Sequence, residues 1–150
     1  MKTIDQTYLL ARQLMNEHGL NRWSFKFDKA KRRAGQCRHY RQTITLSYHF
    51  VCRNNDDEIK DVILHEIAHA LAGPKAKHGS AWKAVCRRIG ARPVRCYDSN
   101  TVDMPKGQFK AVCKGCQKVF HRHRRVRVGR WRYCLKCGPE LGRLEFGLAE

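Results

Sequence analysis

The stretch HEIAHALAGPKAKHGSAW, residues 65–82, constrains this chain more than any other. Two histidines stand four apart with a glutamate directly after the first, and a third histidine follows a Gly-Pro break. On an α-helix, residues i and i+4 lie one above the other on the same face. His65 and His69 can therefore converge on one ion if the segment is helical. Glu66 is turned about 100° from His65, within reach of a water on that ion but not of the ion itself. Such a chain must hold one long helix in place and bring a third donor back to its end.

The flanking residues supply that helix. In NNDDEIKDVILHEIAHALAG, Asn55 stands as N-cap with Glu58 three residues on. Asp56 and Asp57 suit the positive end of the helix dipole, and Gly73 with Pro74 stops the helix. Without that stop, His78 would lie about half a turn round from His69, on the wrong face. The wider gap between the second and third histidines excludes the metzincin pattern. No glutamate lies between Glu66 and Glu140, so a thermolysin-like third ligand from a later helix has no candidate. His78 is the best third ligand, with Asp98 and Asp103 as competitors. Three imidazoles and an open fourth position suit catalytic zinc, with Glu66 as general base. A shorter helix is predicted from Ser80 as N-cap to Gly90, with Trp82, Val85, Cys86 and Ile89 on one face.

Ahead of this region, Thr3 and Gln6 form a capping box for a helix over 4–18, and Gly19 suits its end. Tyr8, Ala11, Leu14, Met15 and His18 are spaced to face the core. WSFKFD (23–28) and TITLSYHF (43–50) alternate as strands, QCRHY between them is a candidate third, and KAKRRAG (29–35) is a basic turn. Residues 91–107 look like a connector.

The eight cysteines are the second constraint. The N-terminus carries Asp5, Arg12 and Glu17 within its short apolar stretch, so it does not look like a signal peptide. No run is long enough to span a bilayer. The expected location is cytoplasmic, nucleoid-associated if the source is bacterial, where thiols stay reduced and cysteines point to metal. Cys113-x2-Cys116 and Cys134-x2-Cys137 have zinc-ribbon spacing. Four thiolates close a coordination sphere, so that zinc is structural. Cys37, Cys52, Cys86 and Cys96 lack such spacing and read as core or near-surface residues.

Formal net charge is +18, which points to a polyanionic partner, nucleic acid before an anionic membrane surface. Residues 106–150 hold twelve Lys/Arg against three Glu. Between the cysteine pairs, Lys118, Arg122, Arg124, Arg125, Arg127, Arg130 and Arg132 interleave with Val, Phe, Trp and Tyr. On a twisted β-hairpin this would make a cationic face that follows phosphates and stacks a base.

These segments together resemble the SprT-like (SprT/Spartan) family of zinc metalloproteases. AGQCRHYRQTITLS (34–47) is similar to the family's strand segment before its active-site helix, and HEIAHAL to its active-site motif. HGSAWKAVCRRIG resembles its HGxxWK segment, and CKGCQ with YCLKCGPEL the zinc ribbon of its bacterial and viral members. The resemblance implies His65, His69 and His78 as zinc ligands, Glu66 as catalytic base, and a DNA-associated protease that degrades proteins crosslinked to DNA. The short basic loop between His69 and His78 departs from the family pattern.

The expectation is an α+β chain: a zincin-like metalloprotease domain over 1–105 and a small basic four-cysteine β zinc ribbon over 106–150. It should hold two zinc ions, one catalytic and one structural. Its partners would be single-stranded or irregular DNA and DNA-bound proteins, with no membrane, and the chain a monomer. Tyr40, Arg95 and Tyr97 are candidates for stabilising the oxyanion. The reading from another class is a non-catalytic zinc-containing protein that binds nucleic acid as an accessory or regulatory factor.

Overall fold

The structure is a computed structural model and describes residues 3–95, 102–127 and 129–149. It divides into two compact units, Met1–Pro105 and Lys106–Glu150. Both helices and small sheets are present, in a mixed α+β arrangement.

Helix α1 (Ile4–Glu17) opens on the expected capping box. The Thr3 hydroxyl accepts from the Gln6 amide at 3.2 Å, and the Gln6 side chain accepts from the Thr3 amide at 2.9 Å. It stops at His18, ahead of Gly19 in a left-handed conformation (φ 75°). Its buried residues are Thr7, Ala11, Leu14 and Met15. Tyr8, expected in the core, is instead 43% exposed, with its ring edge-on to Phe25. Ala11, Leu14 and Met15 are buried as expected, His18 is half-buried, and Thr7 takes the inner place expected for Tyr8, whose phenol suits the boundary because its hydroxyl can stay in water.

Strands β1 (Ser24–Asp28), β2 (Gly35–Arg38) and β3 (Thr43–Ser47) form a sheet in the order β1-β3-β2. The central strand runs parallel to β1 and antiparallel to β2. Every residue of β3 is buried, so its alternation does not separate core from water. Two of its three hydroxyls find partners inside, Thr43 donating to the Arg41 carbonyl and Ser47 to that of Ala30, while the Thr45 hydroxyl is buried without a partner among the described residues. The strand ends three residues sooner than 43–50 would have it, after Ser47 rather than after Phe50. Ser47 accepts from the Phe50 amide and so caps a short helix α2 (Tyr48–Val51), which takes Phe50 into the core.

Helix α3 (Asp56–Ala72) is the centre of this unit and packs on α1, β2, β3 and the next helix, α4 (Ser80–Ile89). The Asn55 side chain accepts from the Glu58 amide at 2.9 Å. Residues Val62 to Ala68 are all buried, so the middle of α3 has no solvent face. Ile59, Ile63 and Ile67 are fully enclosed, each worth about 1.5–3 kcal/mol of burial. Gly73 ends the helix at φ 84°, a conformation that costs glycine little. The N-cap of α4 is Gly79 rather than Ser80, with no side-chain cap bond. Beyond α4, Arg92 bonds Glu58 at 2.5 Å and Asp61 at 2.8 Å, which ties the end of α4 to the first half of α3.

The second unit holds β4 (Phe109–Val112), β5 (Val119–Arg122), a one-turn helix α5 (Gly138–Leu141) and β6 (Gly147–Leu148). Its sheet order is β5-β4-β6, with both pairings antiparallel. The basic run was expected to lie on a hairpin. The pairing of β5 ends where Phe109 meets Arg122, so Arg124, Arg125, Arg127, Arg130 and Arg132 lie outside the strand. Its hydrophobic cluster is small, with Ala111, Cys113, Cys134 and Leu144 buried, and Phe109 is buried as well. Among the described residues of the chain, no helix is long and apolar enough to cross a membrane.

Candidate metal centres

The break at Gly73-Pro74 returns the chain so that His78, just ahead of α4, faces the last turns of α3. Nε2 of His69 lies 3.1 Å from Nε2 of His78, and Nε2 of His78 lies 3.3 Å from Nε2 of His65. Three nitrogens on a tetrahedral zinc, each about 2.0–2.1 Å from it, would be about 3.3 Å apart. The donor set and its spacing therefore fit zinc. Burial, with His78 beside it, lowers His65 to about 4. Burial and the neighbouring histidines lower His69 to about 4, and burial lowers His78 too, with Arg95 adding to it. All three are thus held as neutral imidazoles, the form that binds metal.

Glu66 lies in the fully buried stretch of α3 and is 5% exposed, yet it lines the same cleft of about 630 Å³ as the three histidines. Burial raises its carboxyl to about 8, against a backbone hydrogen bond from Cys37 and the charge of Arg33. A cation at the histidines would favour the ionised form. Gly35, at the start of β2, makes this placement possible: a Cβ there would sit 2.8 Å from Glu66 Cγ and 2.9 Å from Oε1. A glycine inside a strand signals such a close approach, but with Gly35 read as the end of the basic turn 29–35 that signal was hidden in the sequence.

Two further supports were not singled out by sequence reasoning. Trp82 is fully buried and packs on all three rings, with centroids 4.7 Å from His65, 5.2 Å from His69 and 4.7 Å from His78. Its place on the inner face of α4 was legible, its place beneath the histidines was not. His39 follows β2 and donates from Nε2 to the His69 carbonyl oxygen at 2.8 Å. A carbonyl only accepts, so Nε2 carries the proton. This bond holds the last turn of α3, from which His69 projects.

Among the alternatives raised for the site, Asp103 is engaged elsewhere. Its backbone and side chain meet Asn54 and Arg53, ahead of α3 and away from the histidines. Of the oxyanion candidates, Arg95 lines the cleft, whereas Tyr40 is fully exposed and does not. Tyr97, Asp98 and Cys96 lie outside the described residues.

In the second unit Cys113, Cys116, Cys134 and Cys137 bring their sulfurs within 4.8 Å of one another. Sγ of Cys116 and Cys134 are 3.7 Å apart, and a tetrahedral four-thiolate zinc would separate its sulfurs by about 3.8 Å. Each pair sits on a tight turn. The Gln117 amide donates to the Cys113 carbonyl and the Gly138 amide to that of Cys134, with Gly138 at φ 72°. Backbone amides of Cys116 and Gly115 lower Cys113 to about 7, while the surrounding sulfurs push Cys137 up. The remaining cysteines differ among themselves: Cys86 is buried, Cys37 half-buried and Cys52 exposed.

The seven basic residues lie in this second unit. Lys118, Arg124, Arg125, Arg127, Arg130 and Arg132 are exposed and Arg122 is half-buried. Lys118 stands over Phe120, Arg122 over Phe146 and Arg125 over Phe109, at 5.6, 5.7 and 5.9 Å. Such contacts orient a side chain without cancelling its charge.

The fold and its sites define an α+β protein with a three-histidine candidate metal centre and a separate four-cysteine cluster, both compatible with zinc. The chain belongs to the SprT-like family, whose family model matches residues 4–103. It is similar to proteins named Protein SprT from Escherichia coli (strain K12), Escherichia coli O9:H4 (strain HS) and Shigella boydii serotype 4 (strain Sb227). Each is 29% identical over 106 residues, covering 65% of this chain and 64% of the relative. The chain is thus matched over less than two thirds of the length of these relatives. No solved structure matches it.

Proposed function

We propose that this chain is a zinc-dependent metalloendopeptidase that cleaves DNA-associated proteins, of the kind crosslinked to DNA. The observation that carries the reading is the convergence of three neutral imidazoles beside the buried Glu66 carboxylate in one open cleft. A purely structural site would have no use for that carboxylate. His65, His69 and His78 would hold the ion, and Trp82 and His39 would fix the rings against which it sits. A zinc ion bound there supplies Lewis acidity and lowers the pKa of water to about 7. Glu66 Oε takes the proton from the attacking water and returns it to the nitrogen of the leaving amine. Burial disfavours the ionised form of that carboxyl, and the Cys37 amide and Arg33 partly offset this. The DNA part of the proposal rests on the net charge of +18 and on the arginine run of the second unit.

The test is cleavage of a protein crosslinked to DNA by the wild type and by Glu66→Gln, each with its zinc content measured. The variant should keep its metal and lose cleavage by roughly a thousandfold or more. A wild type that binds DNA and cleaves nothing would favour the accessory-factor reading.

A further inference from the structure

The cleft over the histidines carries more positive charge than its chemistry requires. Arg32, Arg33 and Arg95 line it, and among the described residues the only acid lining it is Glu66. Arg33 is already engaged, because it bonds Asp28 at 2.5 Å. Arg32 and Arg95 are different. Both are exposed, and among the described residues neither has a carboxylate partner. Glu66 is 5% exposed and takes a hydrogen bond from the Cys37 amide, so it does not reach out to neutralise them. Arg32 comes from the turn between β1 and β2, and Arg95 from the segment after α4. Two separate parts of the chain thus place on one cleft a guanidinium without a carboxylate partner among the described residues.

We infer that Arg32 and Arg95 select acidic side chains, Asp or Glu, on the segment of substrate that enters this cleft. The inference rests on the proteolytic reading above and gives that site a substrate class. A guanidinium presents a planar fork of donors that matches a carboxylate in a bidentate pair, and it keeps its charge at any working pH. A Lys or Arg of the substrate placed there would meet like charge at short range and lose affinity. Selection also follows from the charge of the whole chain. A protein at +18 repels basic segments and draws acidic ones toward its surface. The cleft arginines convert that general attraction into a positional one beside the scissile bond.

The experiment uses the full-length Glu66→Gln protein loaded with zinc, which separates binding from cleavage. Two peptides of one sequence, with Glu or with Lys at the central positions, are titrated by calorimetry at fixed salt. The same titration is run on the protein that also carries Arg32→Glu and Arg95→Glu. Both arginines are exposed, so the substitutions leave the core intact, which circular dichroism and zinc content verify. The acidic peptide should bind on the order of tenfold tighter to the parent, and the double charge reversal should abolish or invert that preference. A preference that survives the reversal belongs to the basic second unit and overturns the inference. So does equal binding of the two peptides. So does a reversal that weakens only a short oligonucleotide, which would assign these arginines to phosphate. If the acidic peptide is preferred but the wild type cleaves neither peptide nor protein, the proteolytic reading fails while the binding site stands.

Discussion

The two candidate metal centres are held in opposite ways. The three-histidine group rests on a packed core. Its ligands project from α3 and from the approach to α4, with Trp82 beneath them and Ile63 and Ile67 fully enclosed nearby in the same helix. That scaffold exists before any ion arrives. The four-cysteine group is itself much of the core of its unit, since two of the four buried residues of the hydrophobic cluster there are Cys113 and Cys134. A unit of that size has little apolar surface to bury, so on the zinc reading its fold would depend on the metal. The lesson is that an open site on a rigid scaffold can be given to chemistry, while a closed one is consumed in holding the chain together.

The comparison is most sharply tested by removing metal. A strong chelator should unfold the second unit and leave the helices of the first largely intact. Circular dichroism with hydrogen exchange on the two units would report this. Amides of β4 and β5 should exchange freely while those of α3 around Ile63 stay protected. Loss of protection in α3 at the same chelator concentration would erase the distinction.

A smaller effect is expected where the first site is most tightly built. Gly35→Ala places a methyl within 3 Å of the Glu66 side chain, whose neighbour Val62 leaves little room to yield. Cleavage should fall by roughly ten- to a hundredfold, because the base moves off its line of attack while the histidines stay in place. Zinc content should not change. Normal activity in this variant would show that Glu66 tolerates displacement and is not the positioned base.

The smallest effect concerns the second unit and leaves chemistry alone. Replacing Arg124, Arg125 and Arg127 with Ala removes three exposed charges. If they contact phosphate, the slope of log K against log salt for DNA becomes shallower by about 0.7–0.9 per lost contact. The weakening should be similar across DNA sequences, since phosphate contacts carry no base information. Cleavage of a short peptide should hardly change. An unchanged slope would make this run a solvated face and leave the DNA reading to the basic turn around Lys29–Arg33.

The same contrast explains what could be read from the sequence. The caps of α1 and α3 were legible because Thr3 and Asn55 act on amides three residues away, a purely local bond. The histidine and cysteine spacings were legible because ligand chemistry fixes them. What escaped depends on neighbours distant in the chain. The Thr43-to-Ser47 strand alternates as if one face were wet, yet β1 and β2 flank it and it is buried throughout. Ser47 reads equally as strand or cap, and only the core position of Phe50 decides. Arg124 and its neighbours follow β5, but its pairing with β4 ends at Arg122 and among the described residues no strand pairs with them. Trp82 and His39 act on the histidines across gaps that no spacing rule spans.

Metal counting by elemental analysis tests the two-centre account most directly. Wild type should hold two zinc ions per chain, His69→Ala one, and Glu66→Gln two. A single zinc in the wild type would contradict the account, and so would the loss of one from Glu66→Gln, because Glu66 would then be a ligand rather than the base.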